Sequence, residues 1–189
     1  VIRNGDKITK EDFESVESLH DVIRTLSTWT NGKLTVTGNA VQYEGQEICE
    51  ELQEYLLEIF TTKGASGAAE LDSWTNFIAA INRSGSYKVL NRLFMFLKQN
   101  DIHITADGQV VCWKVVRSDF KDKHSGKFDN SPGNTVEIPR TKVDDNDNSY
   151  CSNGLHLCSW NYLKSFSNTG DKVLACLLDP ADIVSIPLD

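Results

Sequence analysis

The 189-residue sequence predicts an α+β protein: a helical N-terminal half, then a mainly antiparallel sheet domain with one short helix packed on it. Three observations carry this. The clearest 3.6-residue apolar periodicities lie in the first half. Alternating, β-branched runs bounded by turn residues lie in the second. All four prolines (Pro132, Pro139, Pro180, Pro187) also fall in the second half, where they suit loops and strand ends rather than helix interiors.

Taken in order, Phe13, Val16, Leu19, Val22, Ile23 and Leu26 are consistent with one amphipathic helix. Leu34 and Val36, then Val41 and Tyr43, alternate around Gly38-Asn39 and predict a small hairpin. Ile48, Leu52, Tyr55, Leu56, Ile59 and Phe60 share a helical face, which the segment TKGASGA ends. Leu71, Trp74, Phe77, Ile78 and Ile81 predict a second helix, and Leu90, Leu93, Phe94 and Leu97 a third. IHITADGQVVCWKVVR then predicts a hairpin over Ile102–Arg117, turning at Asp107-Gly108. Its second strand should set Val111, Trp113 and Val115 on the buried face, with Trp113 mostly covered. After a long irregular segment from about Ser118 to Ser149, holding one strand-like run TVEIPR, GLHLCS, KVLACLLD and DIVSIP read as strands, and WNYLKSF as the short helix. The composition shift divides the chain into an appendage at 1–70 and an α+β domain at 71–189, unless the two form one continuous globule.

The net charge of −8 argues against a nucleic-acid partner, which needs a basic footprint to displace counterions. Five cysteines without paired CxxC spacing read as reduced thiols in an intracellular protein. No run approaches the length of a membrane span. The chain begins at Val1 without Met or an apolar signal segment and stops at Asp189 after a strand-like run, so a trimmed or partial chain is expected.

Chemistry concentrates in the second half. YCSNGLHLCSW (150–160) brackets His156 with Cys151 and Cys158. A cysteine nucleophile needs a base to form thiolate, and Cys151 with His156 has the right types without a hydrolase signature around them. Cys151, His156, Cys158 and His124 are zinc-compatible ligands at irregular spacing. The plainer reading makes Asn153-Gly154 a tight turn using positive φ. Leu155 and Leu157 then anchor a strand, and His156 faces a pocket. Residues 114–142 hold seven Lys/Arg against four Asp/Glu, a basic island on an otherwise acidic chain. Such an island can focus a small anion, with Arg140 as a fork-shaped clamp. DDNDNS (144–149) has the oxygen-rich look of a calcium loop but lacks its Gly and distal Glu. The ligand-binding candidates are therefore Lys114, His124, Arg140, Ser152 and His156. No catalytic residue, metal or cofactor is assigned.

LKQNDIHITADGQVVCWKVV, DFKDKHSGKFDNSPGNTVEIPRTKVDDNDN, CSNGLHLCSWNYL and DPADIVSIPLD, in that order, resemble the rIIB family of T-even-type phage rapid-lysis proteins. The resemblance runs from about Trp74 to Asp189; the first seventy residues match less well. It implies a phage accessory protein made in the infected bacterium. It would act in the host cytoplasm or at its membrane on host or phage protein partners, in lysis timing or evasion of host exclusion. It carries over no catalytic residues. A non-enzymatic role is the reading preferred here; a binder of a small anion or nucleotide signal, and a Cys–His hydrolase or transferase, are the alternatives.

Overall fold

A computed structural model describes residues 21, 23–37, 40–84, 87–100, 102–149 and 152–186. It divides into two compact units, residues 1–75 and 76–189.

In the first unit, helical residues 23–29 (α1) end in a turn where Asn31 and Gly32 take positive φ. Buried Thr30 stitches that turn: its hydroxyl donates to the Leu26 carbonyl at 2.9 Å and accepts from the Leu34 N–H at 3.1 Å. Strands β1 (Leu34–Thr37), β2 (Ala40–Tyr43) and β3 (Gln46–Glu47) form an antiparallel sheet in that order. Leu34 opposes Tyr43 and Val36 opposes Val41, the register expected from the alternation; the Gly38-Asn39 turn lies outside the described residues. Helix α2 (Glu50–Lys63) lays Leu52, Leu56 and Ile59 into the core. Its buried Gln53 accepts from the Val41 N–H at 2.7 Å and donates to the Ile48 carbonyl at 2.6 Å, so both ends of its amide are paired where an unpaired one would be costly. The helix ends at Gly64, φ 51°. Helix α3 (Ala68–Ser84) follows, with Leu71 and Trp74 buried in this unit.

In the second unit, Phe77, Ile78 and Ile81 of α3 and Leu90, Leu93, Phe94 and Leu97 of α4 (Tyr87–Gln99) are all buried, as the periodicity requires. The turn at Thr105–Gly108 packs directly on α3. Asn76 donates to the Ala106 carbonyl at 2.9 Å, and a Cβ on Gly108 would lie 2.4 Å from the Phe77 nitrogen. Gly108 also takes φ 79°, so only glycine serves there.

The hairpin expected over Ile102–Arg117 is only partly formed. Its first arm is a single bridge, Ile104 to Val110. The full partner of β4 (Val110–Val116) is β5 (Lys172–Leu178), antiparallel, with Cys112 opposite Cys176 and Trp113 opposite Ala175. The burial expected of Trp113 is corrected too. Val110, Cys112, Val115 and Val116 are buried, while Trp113 is half-buried and meets Trp160 edge-to-face, ring centroids 4.6 Å apart. Only β5, of the three strands expected after residue 150, is a strand. GLHLCS contributes one bridge, Trp113 to Cys158. DIVSIP is irregular but anchored: Ile183 and Ile186 are buried, and the Ser185 hydroxyl donates to Asp147. TVEIPR is also irregular. WNYLKSF forms a short 3-10 turn (Trp160–Tyr162) leading into α5 (Leu163–Phe166), whose Leu163 is buried.

Candidate functional site

The start of the long segment after β4, residues 122–128, is ordered around one carboxylate. Asp122 accepts from the N–H groups of Ser125, Lys127 and Phe128 at 2.6–2.9 Å, and from the Ser125 hydroxyl at 3.0 Å. Burial alone would raise its pKa, but these donors hold it far below the ordinary carboxylate range. The tip of this loop presents His124, exposed to solvent.

Lys114 lies on β4, half-buried, and its ammonium donates to the His156 carbonyl at 2.9 Å. Desolvation lowers its pKa, partly offset by Cys176, Asp122 and Cys158. The exposed His156 imidazole is also pushed down, first by desolvation, then by the charges of Lys114 and His124, against a backbone contact at Gly154 that raises it. Lys114 and His156 are therefore brought together, with His124 near enough to act on the His156 ring. Ser152 is half-buried in the adjoining loop. That loop is held where the Asp144 N–H donates to the Asn153 carbonyl at 2.8 Å, and Gly154 rests near Val143.

Arg140 is placed differently. Its guanidinium donates to the carbonyls of Ala181 at 3.0 Å and Ile183 at 3.4 Å, so its fork holds the C-terminal segment. Two details of the 150–160 reading are corrected. Neither Asn153 nor Gly154 takes a positive φ. Leu155 is 37% exposed and anchors nothing. Cys158 lies beside Trp113, its thiol donating to the Trp113 carbonyl at 3.4 Å. Cys151, the thiol of the Cys–His reading, lies outside the described residues. Among the described cysteines, burial and the neighbouring Cys176 and Cys158 push the Cys112 thiol up to about 12, far from a reactive thiolate. Cys158 and Cys176 are raised as well, chiefly by burial.

The calcium-like run is spent internally. The Asp144 carboxylate accepts the Asn146 N–H and the Asn146 side chain accepts the Asn148 N–H, in successive local turns. Asp147 pairs with Arg92 and Ser185. Among the described residues no group of three or more His, Cys, Asp or Glu is placed to hold a metal ion. No described helix is long and apolar enough to cross a membrane.

The feature that sequence reasoning missed is apolar. Trp160, Tyr162 and Phe166 are 55%, 53% and 51% exposed, on one short segment anchored by buried Leu163. The signal was there: four large apolar side chains crowd seven residues, more than so short an element can bury on one face.

No solved structure matches the chain. Protein rIIB of Enterobacteria phage T4 is 36% identical over 182 residues, 96% of this chain. The match therefore extends well into the N-terminal seventy residues, where the sequence resemblance had looked weaker. The chain spans 57% of the length of that curated relative. The family profile described as Bacteriophage T4 protein rIIB matches residues 67–189. With a fold of helices followed by a β4–β5 sheet and a profile match across most of its length, the chain belongs to the rIIB family of bacteriophage proteins.

Proposed function

We propose that this chain is a non-enzymatic phage accessory protein that binds a host or phage protein in the infected bacterium, in the cytoplasm or at the membrane face. There it influences lysis timing or evasion of host exclusion. The observation that supports this reading is the exposure of Trp160, Tyr162 and Phe166 on a segment fixed by Leu163. Aromatic side chains offer large contact area at small entropic cost and dominate protein interfaces. The basic groups that a catalytic or anion-clamping site would need are engaged within the fold instead: Lys114 by the His156 carbonyl, Arg140 by Ala181 and Ile183.

A photo-cross-linking amino acid at position 162, expressed during infection, tests this reading. A discrete adduct with a different protein, absent when the probe replaces Lys33, is the expected result. No adduct, or only one of twice the chain mass, contradicts it.

A second reading, binding of a small anion such as a nucleotide signal, draws support from the convergence of Lys114, His124 and His156. Ser152 would add a hydroxyl beside them.

A further inference from the structure

Strand β5 is the outer strand of its sheet; among the described residues β4 is its sole strand partner. Trp113 exchanges both backbone hydrogen bonds with Cys158 on the far side of β4. Cys112 and Lys114 therefore turn their N–H and C=O groups toward β5, and Cys112–Cys176 and Lys114–Leu174 are its bonded pairs. The same alternation aims the backbone groups of Val173, Ala175 and Leu177 outward. None of these groups has a backbone partner among the described residues. The side chains at these positions are exposed too, Val173 by 44% and Leu177 by 64%. Free edges are ordinarily guarded by a charge, a proline or a bulge. Between Lys172 and Asp179 this edge reads Val-Leu-Ala-Cys-Leu-Leu and has no such guard.

A second copy of the chain satisfies this edge in one register. Antiparallel pairing about a two-fold axis at Ala175 sets Val173 opposite Leu177 of the second copy and Lys172 opposite its Leu178. Every outward N–H and C=O of the three residues then meets its counterpart. Residues directly opposite stay on the same face, so the exposed stripes of the two copies merge. A slip of one residue would set exposed side chains against the inward face. A slip of two would draw Asp179 or Asp171 into the ladder, and these are held by Arg83 and Lys123, each at 2.6 Å.

We propose that the chain self-associates through β5, joining two copies of the β4–β5 sheet into one four-stranded antiparallel sheet about a two-fold axis. The surface is distinct from the aromatic segment of the proposed function, and either can fail without the other.

Light scattering across a wide concentration range reads the assembly directly. The parent chain should reach twice its monomer mass. Val173→Lys and Leu177→Lys, at exposed positions, should keep the parent's circular dichroism and lose the dimer. Ala175→Cys should give a covalent dimer with oxidised glutathione. There, two thiols lose two protons and two electrons, one S–S bond forms between chains, and two molecules of reduced glutathione are released. The parent and Asp107→Cys should give none beyond background. A monomer at every concentration overturns the proposal. So does a dimer that survives both lysine substitutions without the Ala175→Cys link, or an edge that pairs only with a segment of another protein.

Discussion

The Lys114 ammonium donates to the His156 backbone carbonyl at 2.9 Å, across 42 residues of sequence. The bond ties β4 to the loop that carries the histidine, and it sets a positive charge beside that ring. The first consequence is measurable. His156 should titrate below its ordinary value of about 6.5. Lys114→Gln should move the midpoint part of the way back, because desolvation is the larger cause and remains. NMR titration of the imidazole checks this, and an unchanged midpoint in the variant would separate the two residues. The sign for stability follows. A histidine whose folded pKa is depressed carries no penalty above the unfolded value, so stability falls as pH drops from about 6.5 toward the folded pKa.

Asp122 gives a dependence of the same sign at lower pH. Its folded pKa is held below the unfolded value of about 3.9, so its contribution is full above that value and is lost as pH falls through the folded one. Asp122→Asn should lower stability near neutral pH by about 1–3 kcal/mol, as for buried hydrogen bonds to a charged group. The gap between parent and variant should narrow in acid, since pH 3 already lies below the unfolded pKa. Urea unfolding at pH 7 and pH 3 measures both values; a gap as wide at pH 3 as at pH 7 would remove the carboxylate from the explanation.

Gly108→Ala should be among the most damaging single changes. It adds an atom where the α3 backbone already stands, and demands positive φ of a residue with a Cβ. The cost should be about 2–4 kcal/mol, from overpacking together with the left-handed penalty. Gly133→Ala shares the positive φ but has nothing within 4 Å of the new atom. It should cost about 1 kcal/mol, the conformational penalty alone. Equal losses in denaturant midpoint would refute the packing argument.

Much of the fold was legible because helices declare themselves locally. Leu52, Leu56 and Ile59, or Leu90, Phe94 and Leu97, repeat at a spacing that only a helix buries. Strand β4 was legible for the same reason, but its partner was not. Asp107-Gly108 favours a local hairpin, whereas the ladder forms with residues about sixty positions away, and no local pattern encodes that choice. The error over Trp113 follows from it, since the covered face depends on what packs against the sheet. Arg140 was misread because a guanidinium that clamps an anion and one that clamps backbone carbonyls have the same sequence. The convergence of Lys114 with His156 was anticipated from a lysine on an apolar strand face and a histidine beside a turn. The exposed aromatics of 160–166 were passed over, because a short helical pattern does not say which of its apolar side chains the core has room for.

A chelator should leave the melting temperature unchanged, because the described residues hold no cluster fit for a metal and a structural zinc site would contribute folding energy directly. Stoichiometric zinc by elemental analysis, with a large drop in melting temperature on chelation, would contradict this and direct attention to Cys151.

The central claim is that the exposed aromatics of 160–166, not the Lys114–His156 neighbourhood, carry the biological role. The most direct measurement is the lysis time of cultures infected by the encoding phage with two variants of this chain. One carries Trp160→Ala, Tyr162→Ala and Phe166→Ala; the other carries Lys114→Met and His156→Gln; both are checked for folding by circular dichroism. The account predicts that the aromatic variant lyses on the schedule of a phage lacking the protein, while the second keeps the parent's schedule. Parental timing in the aromatic variant, with altered timing in the second, would contradict it.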